Sequence, residues 1–146
     1  MREQQVDIWS YQGQAIIAIT TNGSLTRDGR AIMGKGVARQ AAARFPELRQ
    51  QLGRLLQVRG NHVHEILLGM VSFPVEETPF SLPELSLIRR SAEELRQLAD
   101  QCGWTAVVVP RPGCGGGGMR WQEVKPILEE FFDDRFIVVA APEQEL

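Results

Sequence analysis

Four short apolar runs, AIIAIT (15–20), EILLGMVSF (65–73), TAVVVP (105–110) and RFIVVAA (135–141), limit what this chain can fold into. They are rich in β-branched residues and short for core helices, so they read as strands, with a weaker fifth, QVDIW, at 5–9. Three of these runs are continuously apolar rather than alternating. Strands of that kind are buried on both faces, as in a sheet covered by helices on each side. The segments between them have helical spacing. After Met33-Gly34-Lys35-Gly36, the residues Val37, Ala38, Ala41, Ala42 and Phe45 make an apolar stripe that stops near Pro46, and PELRQQLGRLL carries a second helix to about Leu56. Pro83 suits a first helical turn, Leu85, Ile88, Ala92, Leu95 and Ala99 continue that stripe, and Gly103 caps it. A last helix is expected from Trp121 to Phe132, with Val124, Leu128 and Phe131 on one side. This order predicts one α/β domain over residues 1–146, a three-layer α/β/α sandwich.

Charge narrows the function. Sixteen Lys and Arg stand against eighteen Asp and Glu, a formal net charge of −2. A protein that neutralises many phosphates carries an excess of basic residues, so general polyanion binding is excluded and only a local basic patch is compatible. No apolar run approaches the ~20 residues that span a bilayer, and MREQQVDIW lacks the apolar stretch of a signal peptide. A soluble, cytoplasmic chain without membrane contact is expected. Cys102 and Cys114 have no metal-ligand spacing and read as reduced thiols. His62 and His64, two apart in NHVHE, lack further ligands nearby, so they read as structural and no metal is expected.

The irregular regions 20–35 and 73–81 each follow a strand, and ligands of open α/β sheets gather beyond strand carboxyl ends. Two glycine-rich segments, DGRAIMGKGVA (28–38) and PRPGCGGGGMRW (110–121), each lead into a helix. Glycine permits close backbone approach, and free amides at a helix start favour an anion, so phosphate is the natural guest. Two such loops point to a diphosphate-containing ligand. Gly29 to Lys35 satisfies GxxxxGK, but Gly36 stands where a nucleotide-hydrolysing loop needs Ser or Thr for its metal, so that reading fails. Gly113 to Gly118 matches GxGxxG, with Glu143 after the last strand as a ribose-binding acid. Five glycines in six positions satisfy many patterns, however, and a dinucleotide-dependent oxidoreductase is only a remote alternative.

Taken in order, AITTNG, MGKGVARQAAARFPEL and VPRPGCGGGGMRWQEVKPIL resemble the macrodomain family of ADP-ribose-binding proteins, nearest the branch of terminal ADP-ribose and DNA-ADP-ribosyl glycohydrolases. The resemblance spans nearly the whole chain and implies a macrodomain-like sandwich with a mixed central sheet and no bound cofactor. It implies that Asp7, with Ile8 beside it, receives the adenine amino group, and that Asn22 meets the distal ribose. Gly34, Lys35, Gly36 and Val37 match the first ligand loop. Gly113, Cys114, Gly115, Gly116, Gly117 and Gly118 match the second, which wraps the diphosphate, and Arg111 adds charge there. Expected partners are ADP-ribose or an ADP-ribosylated protein or nucleic acid; a toxin partner is left open.

The chain departs from the branch where hydrolysis takes place. A Lys after the FPT-like segment and an acid in the second glycine loop are implied; Glu76 and Gly117 stand there instead, and no Lys occurs between Lys35 and Lys125. A Lys nucleophile is disfavoured. Glu76 or Glu77 acting as a general base on a water or on the 2″-hydroxyl is the replacement expected for a hydrolase, while Lys35 suits the extra phosphate of ADP-ribose-1″-phosphate. Binding, hydrolysis and phosphate removal by a loop-held water remain alternatives at this level.

Overall fold

The computed structural model describes residues 1–142. Among them, β1 (Arg2–Gln5), β2 (Ile16–Asn22), β3 (Glu65–Ile66), β4 (Met70–Glu76), β5 (Val107–Pro110) and β6 (Phe136–Ala140) form one sheet in the order β1-β6-β5-β2-β4-β3. Every pairing is parallel except that of β3 with β4, so the sheet is mixed. The helices are α1 (Gly36–Arg44), α2 (Leu48–Arg59), α3 (Leu85–Cys102) and α4 (Trp121–Glu129).

Continuous hydrophobicity in the central strands has the cause anticipated for it. Successive side chains of a strand point to opposite faces. Ile17, Ile19, Val108 and Ile137 pack on one face with Ala38, Ala41, Leu48 and Leu52 of α1 and α2. Ala18, Val107, Val109 and Val138 pack on the other with Ile88, Leu95, Val124 and Leu128 of α3 and α4. Helix α3 ends where Gly103 takes a left-handed φ of 67° and its N–H reaches Ala99 O. No helix among the described residues is long and apolar enough to cross a membrane.

Three elements differ from expectation. The strand expected at 5–9 lies at Arg2–Gln5; Asp7 accepts the N–H of Trp9 at 3.0 Å and caps a 3₁₀ turn, Ile8–Tyr11, which ends the extended backbone. The run 65–73 is broken by a 3₁₀ turn, Leu67–Gly69, where Gly69 has φ 76°, so that β3 folds back antiparallel on β4. Helix α4 stops at Glu129; beyond it Phe131 packs partly buried against the cluster of Val124 and Leu128 as expected, and Phe132 is buried there too, its ring stacked 4.3 Å from that of Phe136.

The topology places the crevice. From β2 the chain passes through α1 and α2 to β4, and α3 then carries it back across β2 to β5. Strand order therefore reverses between β2 and β5, which opens a crevice at the carboxyl ends. From β1 to β4 is four strand steps, about 19 Å at ordinary strand spacing.

Candidate functional site

A cleft of about 830 Å³ occupies this edge. Its floor is made by Thr20, Thr21 and Asn22 of β2, Val75 and Glu76 of β4, Pro110 of β5 and Val139 of β6. Residues 32–37 form one wall and the glycine loop after β5 the other. The walls are open toward the cleft for a simple reason. A Cβ built on Gly34, Gly36, Gly115 or Gly116 meets nothing within 4 Å, whereas one on Gly117 lies 2.6 Å from both Gly113 O and Pro83 Cγ. Gly117 is therefore required by close packing of the loop on the residues before α3, and Gly115 and Gly116 face open space. Helix α1 begins at Gly36, so its unpaired amides and positive dipole end belong to the same wall.

At the β1 end stand Asp7, Ile8 and Trp9. Asp7 is exposed, and one of its carboxylate oxygens caps the 3₁₀ turn. Trp9 is buried, donates from Nε1 to Gln40 Oε1 at 2.7 Å, and carries the Arg44 guanidinium 4.6 Å from its ring. At the β4 end, Asn22 and Glu76 are paired across the register of β2 and β4. Asn22 Nδ2 donates to Ile32 O at 3.0 Å, and Asn22 Oδ1 accepts the Ser24 N–H at 2.9 Å, so this side chain holds the first loop in place. Glu76 is only 8% exposed. Burial pushes its carboxyl above the ordinary glutamate range, partly offset by the positive charge of Lys35. Lys35 itself is exposed and donates from Nζ to Pro79 O at 2.6 Å.

The structure thus gathers Asp7, Ile8, Asn22, Gly34, Lys35, Gly36, Val37, Glu76, Arg111, Gly113, Gly115, Gly116 and Gly117 around one cleft. Three expected residues are elsewhere. Cys114 packs half-buried on the α3 and α4 side, its Sγ 3.4 Å from Pro112 O, and burial pushes its thiol up to about 11. Gly118, with φ 76°, turns the chain toward α4 without lining the cleft. Glu77, just past the end of β4, does not line the cleft and accepts from Asn61 Nδ2 at 3.2 Å. Arg111 lines the cleft with its guanidinium 4.9 Å from the Trp121 ring and 3.9 Å from Glu3. Glu143 lies outside the described residues. His62 pairs with Glu94 at 2.8 Å and His64 with Gly60 O at 2.8 Å, and no group of three or more metal-ligating side chains occurs among the described residues.

Trp9, Gln40 and Arg44 were missed as cleft residues by sequence reasoning. The signal lay in α1, where Gln40 and Arg44 are four apart and so share one polar face, but nothing local shows that Trp9 packs there.

No protein-family model and no curated protein matches the sequence significantly. Solved structures do. The macrodomain of Thermus aquaticus DarG superposes with a TM-score of 0.77 at 20% identity, over 98% of this chain and 97% of that one. The macrodomain of Mycobacterium tuberculosis DarG gives 0.77 at 21% identity, over 99% and 100%. Thermosipho africanus DarTG, whose structure is a complex with ADP-ribose, gives 0.77 at 16% identity over all of this chain and 43% of that one. Likeness over whole domains at such low identity is a likeness of fold, and the chain has the macrodomain fold, in the form seen in the DarG macrodomains.

Proposed function

We propose that the cleft binds ADP-ribose or an ADP-ribosyl derivative, laid across the carboxyl edge of the sheet. One observation carries this reading: two facing glycine loops, open at Gly34, Gly36, Gly115 and Gly116, stand between an acid-and-aromatic end at Asp7 and Trp9 and a polar end at Asn22 and Glu76. In this reading Asp7 takes the adenine amino group, the loop amides and α1 take the diphosphate, and Asn22 lies beside the distal ribose. The ADP-ribose complex of DarTG, a protein of the same fold, supports the choice of ligand. Thermal unfolding with ADP-ribose, NAD⁺ and ATP in parallel tests it. At a hundredfold the dissociation constant, ADP-ribose should stabilise by about 2.7 kcal/mol, roughly 5–11 °C for a domain this size. No shift with ADP-ribose would overturn the reading, and a shift with NAD⁺ alone would favour the dinucleotide oxidoreductase.

A second reading, hydrolysis of the ADP-ribosyl bond, is favoured by Glu76. A carboxylate with a raised pKa beside the distal ribose is placed to take a proton from water as the water oxygen bonds to C1″ and the leaving group departs with the electron pair of the broken bond. In a chain shown to hydrolyse such a bond, Glu76→Gln should slow turnover by roughly 10²–10⁴-fold, and Glu77→Gln should leave it intact. Full activity in Glu76→Gln would remove this mechanism. Lys35→Ala separates it from a phosphatase acting on ADP-ribose-1″-phosphate, because only the latter needs that cation.

A further inference from the structure

Resting on that reading of the cleft, we infer that its Glu76 end selects ADP-ribosyl ligands whose C1″ carries a cationic nitrogen group, a pyridinium or a guanidinium, over ligands carrying a phosphate there. Glu76 is 8% exposed as a residue, but neither of its carboxylate oxygens is fully enclosed: the residue lines the cleft, and among the described residues its carboxylate accepts no hydrogen bond and makes no ion pair. A ligand filling the cleft would strip the remaining water from a carboxylate that has no protein partner, which is costly unless the ligand itself pairs with it.

None of the neighbouring donors bonds to the Glu76 carboxylate, and each has a partner elsewhere. Lys35 donates to Pro79 O and forms no ion pair with Glu76 within 4.0 Å, so its charge acts only at a distance. Asn22 Nδ2 goes to Ile32 O. Asn61 Nδ2 goes to the backbone carbonyl of Glu76 and the side chain of Glu77. Arg44 lies over Trp9 and Arg111 over Trp121, away from this carboxylate. The open direction is the cleft. A cation arriving beside C1″ supplies that partner as the bound ligand displaces water and weakens screening, and a phosphate at the same point meets a like charge.

NAD⁺ and NADH isolate the effect, since they differ at the ring by little more than one positive charge. Titration calorimetry with ADP-ribose, ADP-ribose-1″-phosphate, NAD⁺, NADH and an ADP-ribosylated guanidine should show NAD⁺ about tenfold tighter than NADH and the 1″-phosphate about tenfold weaker than ADP-ribose. A tenfold ratio corresponds to about 1.4 kcal/mol. Glu76→Gln should bring the NAD⁺/NADH ratio to about one, while Asp7→Asn, at the other end, should leave it at about ten. A preference for either cation supports the inference, and the two arms tell pyridinium from guanidinium. ADP-ribose binding with NAD⁺ and NADH equal, and the guanidine conjugate no tighter than ADP-ribose, would overturn it and leave the cleft reading intact. Absence of ADP-ribose binding would overturn that reading itself. A cation preference that survives Glu76→Gln would also sink the inference, since another group would then be its source.

Discussion

The two ends of the cleft hold one acid each, in opposite surroundings. Asp7 is exposed, and one of its oxygens already works within the fold, capping the turn that carries Ile8 and Trp9. Around it the polar groups are satisfied internally: Trp9 Nε1 by Gln40, and Arg44 by the Trp9 ring. Glu76 is buried and has no such role. The Asp7 end thus presents groups already ordered by contacts within the fold, whereas the Glu76 end presents a carboxylate with no protein partner. The difference teaches which end of the cleft is held by contacts of the fold itself and which leaves a charged group facing the cleft.

The strongest way to break the comparison is at the shaped end. Trp9→Ala empties a buried site and strands the Gln40 and Arg44 contacts, so it should cost about 3–5 kcal/mol in denaturant unfolding and abolish measurable ADP-ribose binding. A loss under 1 kcal/mol would mean that Trp9 belongs to the ligand rather than to the fold.

The glycine loop between the ends is next. Gly117→Ala places a Cβ 2.6 Å from backbone and from Pro83, and a loss of about 1–3 kcal/mol is expected from the forced shift, with ligand binding lost. Gly116→Ala meets nothing, so its stability should stay within about 0.5 kcal/mol while ADP-ribose affinity falls. Equal effects of the two on stability would refute the division into packed and open glycines.

How much of this was legible from the residues follows the same physics. The central strands and the span of α3 were readable because burial on both faces, or on one stripe, leaves a period in the sequence. The hinge at Gly69 was not, since one glycine in an apolar run changes no period. The Asp7 cap competes locally with strand formation, and only tertiary packing decides between them. The glycine loops were readable as lying beyond strand ends, where they wall the cleft, yet which glycines are packed and which are open depends on Pro83, some thirty residues away in the chain. Glu76 and Glu77 are adjacent and alike; the first closes β4 in the cleft, while the second, just past the strand end, reaches Asn61.

Glu76→Gln should go the opposite way from the two variants above and stabilise the ligand-free protein at neutral pH, by at most about 1 kcal/mol, because a partly desolvated charge with no protein partner is removed. The pH dependence identifies the cause. The folded state raises this carboxyl above its ordinary value of 4.5, so over the window upward from there the folded chain keeps a proton that the unfolded chain has released. Stability is therefore lost as pH rises through that window, and the variant should lack this loss. Glu3, held low chiefly by Lys125, and Asp100 and Asp133, held low chiefly by Arg135, contribute in the other sense, losing stability as pH falls. They are common to both proteins, so the difference in unfolding free energy between parent and variant, followed from pH 4 to 8, isolates Glu76. A difference that is flat with pH would show that the carboxylate is solvated after all.

The smallest effect is expected from Asp7→Asn. The amide oxygen of Asn can still accept the Trp9 N–H, so the turn keeps its cap and unfolding should change by only a few tenths of a kcal/mol, against about 1 kcal/mol for Asp7→Ala. Affinity for ADP-ribose should nonetheless drop severalfold, because the charged acceptor proposed for the adenine amino group becomes neutral and a charge-assisted hydrogen bond is roughly twice as strong as a neutral one. Inosine diphosphate ribose, which presents no amino group, should bind parent and Asp7→Asn alike. If that analogue instead lost as much affinity as ADP-ribose on substitution, Asp7 would be acting only through the turn, and the two acids of the cleft would differ in burial but not in what they recognise.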